Sequence, residues 1–186
     1  MTGSDTWALV FTGHMIDAPG RAEPRFPPRA EPLAGEAITT AVRAQIERHG
    51  RLEPIIAGGA CGGDIIFHEV CRALGLETEV LLALPPEEFR VTSVAFAGPD
   101  WERRYDRLLA ETEARVLDAR PHPTVWEQSN RWMLDEARSR AGGFTLIALW
   151  NGMGGDGSGG TEHLVQLAIA AGGDVDLIDA TALFGI

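Results

Sequence analysis

Short, almost wholly apolar runs alternate along this chain with longer segments whose apolar residues recur at helical spacing, and that alternation restricts the fold more than any other feature. Residues 7–13 (WALVFTG) and 144–150 (FTLIALW) read as strands buried on both faces of a sheet. Shorter strand patterns open 53–64 (EPIIAGGACGGD) and occupy 77–85, 114–119 and 174–179. Between them the spacing predicts a helix over 34–50, where Ile38, Val42 and Ile46 recur every fourth residue before Gly50, and further helices over 64–74, 100–112, 124–142 and 161–171. Such alternation implies parallel strands joined by right-handed crossovers, with helices on both sheet faces.

The expected class is therefore α/β, a three-layer Rossmann-like sandwich with a mostly parallel central sheet. No internal repeat or long linker divides residues 1–186, so one domain is expected, with the proline-rich 18–32 as an ordered or partly ordered surface loop. In such folds ligands bind beyond the carboxyl ends of the strands. Three loops there stand out: TGHMID with Gly13 and His14, GGACGGD with Gly58, Gly59, Gly62, Gly63 and Asp64, and NGMGGDGSGGTE with Gly159, Gly160 and Thr161. All three should converge on one crevice.

The last of these places six glycines in residues 151–160. Glycine loses the most freedom on folding, so this density is costly unless the backbone needs positive φ or a close approach. A helix N-terminus presents unpaired amides and about half a positive charge, and glycines let an anion come near them. The segment GSGGTE, with the Thr161 hydroxyl at the helix start, is thus a candidate phosphate cradle. Neither glycine loop has the GxGxxG or GK[ST] pattern, and the sequence contains no lysine. That favours a monophosphate, a diphosphate or a nucleoside derivative over a magnesium-bound triphosphate. Arg21 and Arg25 are the nearest cations to fold over it.

The 27 acidic against 16 basic residues give a formal net charge of -11, from which nucleic acid is not expected as a general partner. No run approaches a membrane span, the start lacks a signal-peptide pattern, and Cys61 and Cys71 form neither a disulfide framework nor a CxxC pair. A cytoplasmic protein without a metal site is expected.

The motifs TGHMID, GGACGGDIIFHE, LPPEEF, NRWML and LWNGMGGDGSGGTEHLV, in that order, resemble the SLOG superfamily of Rossmann-like nucleotide-binding domains, which includes the Lonely Guy phosphoribohydrolases and the molybdenum cofactor carrier proteins. The resemblance implies a nucleotide-derived ligand held by Gly159, Gly160 and Thr161, with Gly58, Gly59, Gly62, Gly63 and Asp64 framing the other side. It does not extend to the hydrolase branch. There the pattern is PGGxGTxxE with an upstream RKxxM; here no proline precedes the glycines, Glu162 adjoins Thr161, and Ser129 and Asn130 stand at the arginine and lysine positions. Asn130 suits a hydrogen bond to a base or ribose, and Glu162 is the remaining weak candidate for a general base.

Several residues carry two readings. Asp64 suits either an N-cap or an acceptor for ribose hydroxyls. Asp156 suits a turn, Cys61 a small buried loop residue or a nucleophile, and His14 a ligand contact. His68 and Cys71 share a helical face without further metal ligands. The tryptophans suit core or interface anchors, with Trp150 able to line a base pocket. The expected function is binding or sensing of a nucleotide-derived ligand, with no cofactor identified; the alternatives are a hydrolase of an N-glycosidic bond and a ligand-free interaction module. SLOG relatives commonly pair, so a homodimer through 124–142 is a further expectation.

Overall fold

The computed structural model describes residues 6–118, 124–154 and 158–186. Its strands β1 (Trp7–Gly13), β2 (Leu52–Ala57), β3 (Glu79–Leu82), β4 (Glu113–Val116), β5 (Phe144–Trp150) and β6 (Asp174–Asp179) form a sheet in the order β4-β3-β2-β1-β5-β6. Every neighbouring pair is parallel. The helices are α1 (Glu31–His49), α2 (Gly63–Ala73), α3 (Pro86–Ser93), α4 (Pro99–Glu111), α5 (Val125–Arg140), α6 (Thr161–Ala170) and the short α7 (Ala180–Phe184). This is the Rossmann-like α/β sandwich that the alternation requires.

Strand periodicity divides the core between the two faces. Leu9 and Phe11 of β1 join Ile55, Val80, Leu82, Ile147 and Leu149 on the side of α1 and α2. Ala8 and Val10 join Ile56, Leu81, Leu146 and Ala148 on the side of α5 and α6. β1, β3 and β5 therefore bury both sets of side chains, which is why β1 and β5 are apolar nearly throughout, whereas the edge strands β4 and β6 keep exposed positions and carry charged residues. One polar chain crosses this core: Trp7 Nε1 donates to Thr145 Oγ1 (3.0 Å), that hydroxyl donates to Gln45 Oε1 (3.1 Å), and Gln45 Nε2 donates to Asp176 Oδ2 (3.1 Å). It ties α1 to β5 and β6 with every member paired.

The proline-rich loop is ordered by two anchors. The Asp17 carboxylate accepts the backbone N–H groups of Arg25 and Phe26, each at 3.0 Å, and Phe26 is fully buried in a stack on Phe184. α1 begins at Glu31, three residues before the expected start, because Pro32 fits a first turn where no N–H is needed. β3 ends at Leu82 instead of running to 85, and the helix α3 follows it unforeseen. Asp156 and the end of the fourth expected strand, residue 119, lie outside the described residues. Among the described residues no helix is long and apolar enough to cross a membrane.

Candidate functional site

From β1 the chain moves through β2, β3 and β4 on one side of the sheet, then crosses to β5 on the other. The loops leaving β1 and β5 consequently diverge, and a crevice opens where the strand order reverses. A cavity of about 620 Å³ lies there, and its walls come from the loops after β1, β2 and β5 together with α3 and α5. That volume is in the range of small-molecule sites. Gly13, His14, Gly58, Asp64, Asn130, Gly159, Gly160, Thr161 and Glu162 line it, as do Arg21 and Arg25; Gly59, Gly62 and Gly63 do not.

Those three glycines approach the protein itself. Gly62 has φ +100°, and a Cβ on it would stand 2.5 Å from Ile16 N and 2.8 Å from His14 O. A Cβ on Gly63 would meet Gly13 Cα and the Phe11 ring, both at 3.1 Å, and one on Gly59 would press on Leu82 and Tyr105 at 3.2 Å. The gaps let the β1 loop lie against the start of α2, where the Gly63 N–H donates to His14 O at 3.0 Å. The Ile65 N–H donates to Ala60 O at 3.3 Å. The α2 end is therefore largely satisfied internally.

The N-terminus of α6 is different. No side chain among the described residues caps it; Gly160 occupies the cap position in extended backbone. Gly159 before it has φ +78°, and a Cβ there would collide with Trp126 Cβ at 2.5 Å and Glu127 N at 2.7 Å. Asn130 Nδ2 donates to Gly159 O at 2.8 Å and lies 3.1 Å from His163 Nδ1. Asn130 thus holds the glycine loop in place while lining the cavity. Ser129, one residue earlier, is 3% exposed, lines the cavity, and has no hydrogen-bond partner among the described residues. On the opposite rim Arg25 Nη2 donates to Gly154 O at 3.3 Å, and Arg21 Nε lies 3.6 Å from Asp17 Oδ1. Glu162 accepts from Gln166 within its own helix at 3.2 Å.

Asp64 does not cap α2; Gly62 stands at that position, and Asp64 sits in the first turn. Its Oδ2 accepts the Ala60 N–H at 3.3 Å. Although the residue keeps some surface toward the cavity, protein atoms crowd its carboxyl, and burial pushes its pKa up to about 7. Four residues along the same helix face, His68 is fully enclosed. Its Nε2 lies 2.9 Å from Gly58 O, which can only accept, so Nε2 carries the proton and Nδ1 accepts from the Thr78 hydroxyl at 2.7 Å. Burial lowers this imidazole to about 4 and keeps it neutral. His14 is likewise held neutral by burial, with Nε2 accepting the Asn151 N–H at 3.2 Å. Cys61 is fully buried and its thiol is pushed up to about 12, which suits a packing role and not a nucleophile.

Three apolar walls escape the sequence reading: Phe89 and Phe96 from the α3 region and Trp126 at the start of α5, joined by the hydroxyls of Thr92 and Ser93. Trp150 also lines the cavity, as its strand-end position suggests, and its Nε1 donates to Met153 O at 2.7 Å. Pro86 at the first helical position with Glu87 and Glu88 behind it is a helix-start signal that could have found α3. Nothing local in the sequence tells that Phe89 turns toward this cavity. Among the described residues no three metal-ligating side chains gather.

No protein-family model matches the chain, and no curated protein matches it. Among solved structures it is similar to DNA processing protein A (DprA) from Streptococcus pneumoniae, at 14% identity with a TM-score of 0.42. The alignment covers 96% of this chain and 61% of that one. Against this finding the expectation that nucleic acid is not a general partner is withdrawn. Net charge sums over the whole surface, whereas association follows the local potential, so a total of -11 does not support the exclusion.

Proposed function

We propose that this chain binds a nucleotide or nucleotide-derived ligand of the SLOG type in the cavity at the switch point, with the anionic group at the N-terminus of α6. The observation that carries the reading is that a helix N-terminus with no side-chain cap and the hydroxyl of Ser129, which has no partner among the described residues, share one cavity. An anion there meets the first-turn amides and a positive helix end. Arg21 and Arg25 on the rim add positive potential, while Phe89, Phe96, Trp126 and Trp150 supply flat apolar surface for a base. Both cysteines are buried and unpaired, in keeping with a reducing cytoplasm.

The role is binding or sensing, not turnover, because Ser129 and Asn130 replace the arginine and lysine of the hydrolase branch and Asn130 is engaged with the loop. A hydrolytic reading is favoured by one observation, the Asp64 carboxyl held near neutral pKa in the cavity, which suits proton transfer. Thermal shift and product chromatography with nucleoside monophosphates, NAD and cyclic nucleotides separate the two. At a hundredfold excess over Kd, a ligand should raise Tm by roughly 5–10 °C and be recovered intact. No shift with any of them would overturn the proposal. Enzymatic turnover lost in Glu162→Gln or Asp64→Asn with binding retained would replace it by the hydrolase.

A further inference from the structure

The end of the cavity formed by β2 and α2 calls for a different chemistry from the end at α6. Asp64 lines it, and a Cβ on Gly58 would stand 2.6 Å from Asp64 Oδ2, so only a glycine there leaves the carboxyl its position. Oδ2 takes the Ala60 N–H, while among the described residues Oδ1 receives no donor and no cation pairs with the group. The other titratable groups lining the cavity have other partners or directions. The Asp17 carboxylate holds the Arg25 and Phe26 amides, Arg25 reaches Gly154 O, Arg21 reaches Glu23 O, His14 holds the Asn151 amide, and Glu162 takes Gln166. A carboxyl oxygen that faces the cavity without a donor from the described residues is open to the donors of a ligand.

The sheet fixes how far such donors lie from the anion. α2 follows β2 and α6 follows β5, and these strands flank β1, so the two sites are about two strand spacings apart, roughly 10 Å. A 5′-phosphate and the hydroxyls of its own ribose, with one hydrogen bond at each end, span a comparable distance.

We propose that Asp64 is the specificity-determining residue of the cavity, accepting hydrogen bonds from the vicinal hydroxyls of a ribonucleotide whose phosphate lies at the α6 N-terminus. The inference rests on the ligand reading above. It selects ribonucleotides over their deoxy counterparts, because a deoxy sugar leaves the carboxyl unpaired. Burial already presses this carboxyl toward neutrality, and hydroxyl donors favour its ionised form.

The test titrates the full chain by calorimetry with inorganic phosphate, with the four common ribonucleoside 5′-monophosphates and with their 2′,3′-dideoxy analogues. For at least one base the ribonucleotide should bind at least tenfold more tightly than its dideoxy analogue. Asp64→Asn and Asp64→Ala should both erase that ratio while leaving phosphate affinity unchanged. Equal affinity for the two sugars, or a preference that survives both substitutions, would overturn the role of Asp64 and leave the anion site standing. Failure of every phosphate-bearing probe to bind would overturn both.

Discussion

At Gly159 a single missing methyl group decides the geometry of the anion site. Its φ of +78° is a backbone region that L side chains rarely adopt, and a Cβ would fall 2.6 Å from the Trp126 carbonyl carbon, so neither the loop nor α5 could keep its place. The left-handed conformation alone costs about 1–2 kcal/mol for alanine, before the collision is counted. Gly154 in the same loop has an ordinary φ, and among the described residues a Cβ there meets only the end of the Glu162 side chain at 3.3 Å. Gly159→Ala should therefore lower Tm by several degrees and abolish phosphate binding, while Gly154→Ala leaves both nearly unchanged; calorimetry on the pair checks this. Equal effects would mean that the loop is held by something other than its contact with α5. The density of glycines was legible in the sequence, but not which of them faces a ligand and which faces the chain. That distinction depends on Trp126 and Ile16, which are distant in sequence from the glycines they touch.

At the scale of an element, α2 carries two buried titratable groups with opposed effects on stability. The His68 pKa is depressed to about 4, so the folded state resists its protonation; that contribution is present above the ordinary histidine value of 6.5 and is lost as pH falls toward 4. The Asp64 pKa is raised to about 7, so folding favours its neutral form; that contribution is present below the ordinary 3.8 and is lost as pH rises toward 7. Between these limits the two slopes, each ~1.4 kcal/mol per pH unit, run in opposite directions. Asp64→Asn removes one of them. Denaturant unfolding should find the variant about as stable as the parent near pH 4 and increasingly more stable toward pH 7, by a few kcal/mol at most because Asp64 is only partly buried. A difference that does not vary with pH would show that the carboxyl is not held neutral. A residue that lowers stability at neutral pH and lies in a cavity fits a ligand-binding role better than a packing one.

The elements themselves were legible where local physics determines them. β1 and β5 are apolar at nearly every position because both faces are covered, and their boundaries fall as read, 7–13 and 144–150. α3 lies in the stretch left without an element between the strand expected to end at 85 and the helix expected from 100, although Pro86 and two following glutamates mark a helix start. The outward positions of α5 include Arg131, Asp135, Arg138 and Arg140, a charged face that the sequence pattern of that helix already carries.

For the whole molecule, the strand order is what turns three separate loops into one site. With β1 at the centre and β2 and β5 beside it, the loops that follow these strands must meet, and the cavity is found there. Convergence could be inferred from the alternation of elements, because parallel sheets place their loops at one end. The aromatic walls could not, since Phe89 and Trp126 reach the cavity only through the packing of α3 and α5 across the sheet end. The central claim is that an anion bound here sits on the first turn of α6. Crystals soaked in phosphate or a nucleoside monophosphate test it most directly. The account predicts phosphate density within hydrogen-bonding distance of the Gly160 and Thr161 amides and near the Ser129 hydroxyl; density confined to any other place on the molecule would contradict it.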